Sequence, residues 1–105
     1  MSWLILFLAG LFEIVWAAGL KVSSQSPSPW LFSVTVMATI ASLLLLALAM
    51  KEIPLGTAYA IWTGIGAIGS FIIGLIYFSE PISFARLASA LFIVVGLVGL
   101  KLTSQ

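Results

Sequence analysis

Three short polar breaks divide this chain into four apolar runs, each about long enough to cross a bilayer. The breaks fall at residues 22–29, 51–55 and 79–81. The runs between them predict helices over 3–21, 30–50, 56–78 and 83–102. A helix of about 20 apolar residues spans a hydrocarbon core about 30 Å thick. Only 7% of the 105 residues are charged, whereas a soluble domain carries about 25%. The chain therefore reads as an all-α membrane protein, one four-helix transmembrane domain over 1–105. The first run lacks a basic leader and carries an acid where a signal peptide would be apolar, so it reads as a retained span.

That acid is Glu13, the one carboxylate in the run over 3–20. At 1.5 Å per residue it lies about 15 Å along a helix begun at Trp3, close to the bilayer midplane. A charge there costs about 2.5–3.5 kcal/mol on insertion scales, and folding a small helical protein does not require it. Glu13 is therefore expected to be functional. Ala9, Gly10, Trp16 and Ala17 share its helix face. Small residues let another helix approach closely, so this face is expected to pack inward. Trp16, one turn from the acid, has two open readings: bulky packing alone, or an indole N–H that donates within the site, since such a group needs a partner when buried.

The other runs offer few polar groups. Ser42 lies near the middle of the second helix, and two readings of it stand open: a hydroxyl on its own i−4 carbonyl, or a member of a site. Tyr59, Trp62, Thr63 and Gly66 follow at i, i+3, i+4 and i+7 on one face of the third helix. Gly64 and Gly66 in mid-span suggest a hinge, since transporter helices often break where they line a site; the other reading is that they serve close helix packing alone. Glu80 is expected at the membrane boundary, in water. The fourth helix has no ionisable group in its interior, and Ser89 and Gly96 share a face, so it reads as an assembly helix. The net charge of +1 leaves no basic patch for nucleic acid. With neither Cys nor His, no disulfide, metal site or Cys/His nucleophile is expected, and no cofactor motif is present.

Four spans place both termini on one side. Lys51 and Lys101 then share that side, and Lys21 and Arg86 lie on the other. Orientation normally follows a Lys/Arg excess on the cytoplasmic side. Here neither side wins, so the chain is expected to insert either way up. One copy up and one down would form an inverted-topology pair, an antiparallel homodimer with the two Glu13 groups near the midplane.

The sequence resembles the small multidrug resistance transporters over nearly its whole length. The resemblance rests on the four-span layout, on Glu13, on the run Pro54-x-Gly-x-Ala-Tyr-Ala-Ile-Trp-x-Gly-x-Gly66, and on the small residues of the fourth helix. Within that family it is similar to the guanidinium-exporter subtype. The residues that carry this are Gly10-Leu-Phe-Glu-Ile-Val-Trp16, Trp62-Thr-Gly-Ile-Gly66 and Gly99-Leu-Lys101. The resemblance implies a bacterial inner-membrane antiporter that exchanges guanidinium for protons as an antiparallel homodimer. It also implies a site at Glu13 lined by Trp16, Ser42, Tyr59 and Trp62, with Gly10 and Thr63 as further candidates.

The chemistry agrees with this implication. Guanidinium is planar and its forked N–H donors fit a carboxylate bidentately. Trp and Tyr faces attract such a cation. If proton and cation compete for the same carboxylates, loading one releases the other. Three alternatives stay open at this point: a quaternary-ammonium multidrug exporter of the same fold, a non-transporting membrane assembly subunit, and a passive channel. An enzyme is not expected, because only one ionisable group lies deep in the membrane.

Overall fold

The computed structural model describes residues 1–103 and contains four helices among them: α1 (Ser2–Gln25), α2 (Pro29–Ala49), α3 (Leu55–Tyr77) and α4 (Phe84–Thr103). All four are long and apolar enough to cross a membrane. Three of them match the expected spans to within about a residue at each end. The first differs. The expected loop over 22–29 is helical as far as Gln25, so α1 has 24 residues and the connection is only Ser26, Pro27 and Ser28. Serines do not end a helix when their hydroxyls find a carbonyl within it. Ser24 Oγ donates to Lys21 O at 2.7 Å, and the Ser26 N–H donates to Val22 O at 2.8 Å. The stop comes from Pro27, which pushes the residue before it out of the α region; Ser26 has ψ 79°. Ser28 then caps α2, its Oγ accepting from the Leu31 N–H at 3.5 Å, with Pro29 in the first turn.

At 1.5 Å per residue α1 is about 36 Å long, more than the hydrocarbon core requires. Glu13 falls at its midpoint. The turn after α2 brings Ile53 back into the core, and Ser2 Oγ donates to the Glu52 carboxylate, tying the start of α1 to that turn.

The helices lie side by side. α1 packs against both α2 and α3, while α4 packs along α3. The result is a slab of 44 × 35 × 17 Å. A helix with its side chains is about 10–12 Å across, so much of the slab is little more than one helix thick. Its best-packed region sits at the end nearer the termini. There Leu6 and Ala9 of α1, Leu46 and Ala49 of α2, Ile53, and Ala58, Ile61 and Trp62 of α3 form one buried cluster. No described residue of α4 is buried. Side chains such as Leu44, Phe92 and Val95 point outward, where lipid tails are as apolar as they are.

The α1–α3 crossing is close because of glycine. A Cβ on Gly10 would run into the side chain of Ile65, and a Cβ on Gly66 would run into the carboxyl group of Glu13. The expected inward packing of the Gly10/Glu13 face is therefore realised against α3.

Candidate functional site

The site is built where α1 leaves the packed cluster. The Glu13 carboxyl rests against the bare backbone of Gly66. Its Oε1 is buried and has no hydrogen-bond partner in the protein. One turn further along α1, Trp16 Nε1 is likewise buried without a partner. An acceptor and a donor, both desolvated and neither satisfied by the chain itself, stand on one face of the same helix. Buried polar groups in folded proteins are nearly always paired, so two unpaired ones on one helix face are unusual and leave room for a partner from outside the chain.

On the other side of Glu13 the polar groups are fully used. Trp62 Nε1 donates to Ser42 Oγ at 2.9 Å, and Ser42 Oγ donates to Ala9 O at 2.7 Å. This chain of two hydrogen bonds joins α3 to α2 to α1. It overturns one reading of Ser42: the hydroxyl serves the carbonyl of Ala9 across the helix interface, not its own i−4 carbonyl. Helix register makes Ala9 O the intrahelical acceptor of the Glu13 N–H as well. The Ser42 bond thus fixes the turn of α1 that carries the acid. Tyr59 stacks on Trp62 with ring centres 5.5 Å apart and planes tilted by 51°. Tyr59 is otherwise exposed and Trp62 buried, so one aromatic is open to a partner and the other holds it in place.

The remaining candidates are placed as follows. Thr63 Oγ1 donates to Tyr59 O within its own helix. Gly10 faces Ile65 at the crossing rather than a polar group. Gly64 sits against Leu97 of α4. The α3 helix runs unbroken through Gly64 and Gly66. Ser89 and Gly96 lie on α4, away from Glu13: Ser89 Oγ is exposed and donates to Ala85 O at 2.8 Å, and a Cβ at Gly96 would meet nothing within 4 Å. No group of three or more His, Cys, Asp or Glu that could hold a metal occurs among the described residues.

Sequence reasoning missed two parts of this arrangement. One is the Ala9 carbonyl, a backbone group that no side-chain pattern reveals. The other is the role of Gly66 as the seat of the Glu13 carboxyl. Its signal was available, since a glycine at mid-span of α3 is the natural counterpart of an acid at mid-span of α1.

The sequence pattern of the family described as Small Multidrug Resistance protein matches residues 1–94. The chain belongs to the small multidrug resistance family. Among its curated relatives is a protein of Escherichia coli O6:H1 named "Guanidinium exporter". It is 52% identical over 109 residues, covering all of both chains. A "Guanidinium exporter" of Proteus vulgaris is 53% identical over 104 residues, covering 99% of this chain and all of the relative. A third, from Salmonella typhimurium, is 50% identical over the full length of both. The family resemblance expected from the four-span layout, Glu13 and the run from Pro54 to Gly66 is thus borne out.

Ser42→Ala removes both bonds of the Trp62–Ser42–Ala9 chain and leaves the Trp62 indole N–H buried without a partner. The expected loss is about 1–3 kcal/mol of stability. Thermal unfolding in detergent measures it, and an unchanged midpoint would mean that this chain does not hold the turn of Glu13.

Proposed function

We propose that two copies of this chain, inserted in opposite orientations in the bacterial inner membrane, export guanidinium in exchange for protons at their paired Glu13 carboxylates. The single observation that carries this reading is Oε1 of the half-buried Glu13 carboxyl, shut away from solvent at mid-helix with no partner from its own chain. In hydrocarbon such a group must be neutralised, and a proton or a cation does so equally well. Whichever is bound keeps the other out, so exchange follows without a separate proton relay. The names of relatives about half identical over the full length support guanidinium as the cation.

The dimer is supported by shape. A slab 17 Å thick does not enclose a chamber, and one of its helices, α4, has an unpartnered face that carries Ser89 and Gly96. A second copy across that face supplies the missing wall. The two-against-two division of Lys and Arg favours opposite orientations. Two facing Glu13 groups then titrate as a coupled pair.

The geometry supports the following roles. Glu13 takes the forked N–H donors of guanidinium bidentately. Trp16, with its free indole N–H, and Tyr59, with its open ring, line the cation. Trp62 and Ser42 hold Tyr59 and the Glu13 turn in position. Identical copies in two different conformations open the site to one side, and exchanging the conformations opens it to the other at equal energy. Bending at Gly64–Gly66 is the proposed hinge.

Protein reconstituted in liposomes tests the central reading. A pH gradient is expected to drive guanidinium uptake in the unmodified protein and not in Glu13→Gln, with little uptake of a quaternary ammonium. Uptake of the bulky cation instead would assign the multidrug subtype, and gradient-driven uptake of neither would end the transport reading. Trp16→Gly should reduce the preference for guanidinium roughly fivefold, the worth of about 1 kcal/mol of cation–aromatic attraction; unchanged selectivity would remove Trp16 from the site. The hinge is tested at Gly64, because any side chain at Gly66 disturbs Glu13 directly. Gly64→Val should slow exchange several times over and leave equilibrium guanidinium binding little changed. Lost binding at an undiminished rate would refute the hinge.

A further inference from the structure

At the membrane boundary opposite the termini, the chain already binds a guanidinium group, its own. Arg86 Nη2 lies 3.1 Å from Glu80 Oε1, and Arg86 Nη1 donates to Pro81 O at 2.6 Å. The guanidinium carbon stands 5.0 Å from the centre of the Phe71 ring. A carboxylate, a carbonyl and an aromatic face are the groups that recognise a free guanidinium ion.

Glu80 is placed by backbone geometry. Ser79 turns the chain with φ 53°, and the Glu80 N–H donates to Gly74 O at 3.1 Å. The carboxyl then lies over Gly74, where a Cβ would collide with it. From there it borders a cavity of about 150 Å³ between α1 and α3, whose walls include Ala17, Lys21, Ser70, Gly74 and Phe78. A water occupies about 30 Å³ in the liquid, so this space admits a small ion. Ala17 is one turn beyond Glu13, and Ser70 is one turn beyond Gly66, which touches Glu13. The cavity therefore begins one turn from the Glu13 level and ends at the boundary.

Resting on the exchange reading above, we infer that Glu80 is a second, transient guanidinium site on the route between Glu13 and the aqueous side, and that Arg86 is its internal competitor. The passing cation displaces the Arg86 side chain from Glu80, and Arg86 in turn displaces the cation. The pair opens readily, because Arg86 keeps 34% and Glu80 41% of its side-chain exposure. Arg86 is not stranded when it lets go, since Pro81 O and Phe71 still hold it. Lys21, the other charge facing this cavity, keeps the mouth from becoming net negative, so a cation does not dwell there. In the antiparallel pair each copy would bring one such site to an opposite face of the membrane.

The test is the KM for guanidinium in liposomes, which does not depend on how much of each preparation is folded. A purely structural ion pair predicts that losing either partner has the same effect. The competition predicts opposite effects. Glu80→Gln should raise KM about two- to fivefold, and Arg86→Gln should lower it by a similar factor, the range of a half-exposed ion pair. Glu80→Asp should restore part of the loss. Shifts of the same sign, or no shift in either variant, overturn the inference while the exchange reading stands. No guanidinium exchange by the unmodified protein overturns both.

Discussion

The structure turns on one carboxyl group with an oxygen shut away from solvent. Glu13 sits where hydrocarbon offers no hydrogen bond and where its own chain offers none to Oε1. Such a group is tolerated only if its surroundings are held in place and an outside partner completes it. The close α1–α3 crossing, with Gly66 against the acid, sets where the carboxyl points. The Trp62–Ser42–Ala9 hydrogen bonds fix the turn of α1 that carries it. The packed cluster at the terminal end of the slab anchors these contacts, and Glu13 lies at its edge.

The distribution of satisfied and unsatisfied groups is itself a division of labour. Ser42 and Trp62 spend their hydrogen bonds on each other and on backbone. Trp16 and Glu13 spend none. A site in which every polar group is paired internally has nothing to offer a cation, and one in which none is paired has no defined shape. Here a rigid half supports an open half, and the boundary between them passes through Ala9 and Glu13. The slab's thinness follows the same logic: four helices in a near-planar arrangement leave this open half facing outward, which suits a chain completed by a second copy.

The two guanidinium-type sites inferred along α1 and α3 differ in strength for a physical reason. Glu13 Oε1 is buried at mid-helix, so an interaction there is less screened. Glu80 is half in water and already holds an arginine, so a cation gains little by stopping. A strong central site flanked by weak ones favours passage over trapping. Both are seated on glycines of α3, Gly66 and Gly74, because only a bare backbone lets a carboxyl lie against the helix.

Much of this was legible from the chain alone. Hydropathy determined the four helices, because a backbone in lipid must satisfy its own hydrogen bonds and only a helix does so within one segment. Glu13 stood out because a charge at that depth is too costly to be incidental. The Tyr59 and Trp62 face followed from helical periodicity. Tertiary structure alone decided the rest. The end of α1 moved to Gln25 because the Ser24 hydroxyl and the Ser26 N–H bonded back to carbonyls of the helix, a local choice that composition does not encode. Ser42 was free to bond within its own helix or across to another, and only the approach of Ala9 settled which. Gly66 could serve bending or contact, and only the crossing put the Glu13 carboxyl upon it. Apolar pattern determines which segments are helices. Which faces meet, and therefore which polar groups are left over for a ligand, depends on how those helices pack.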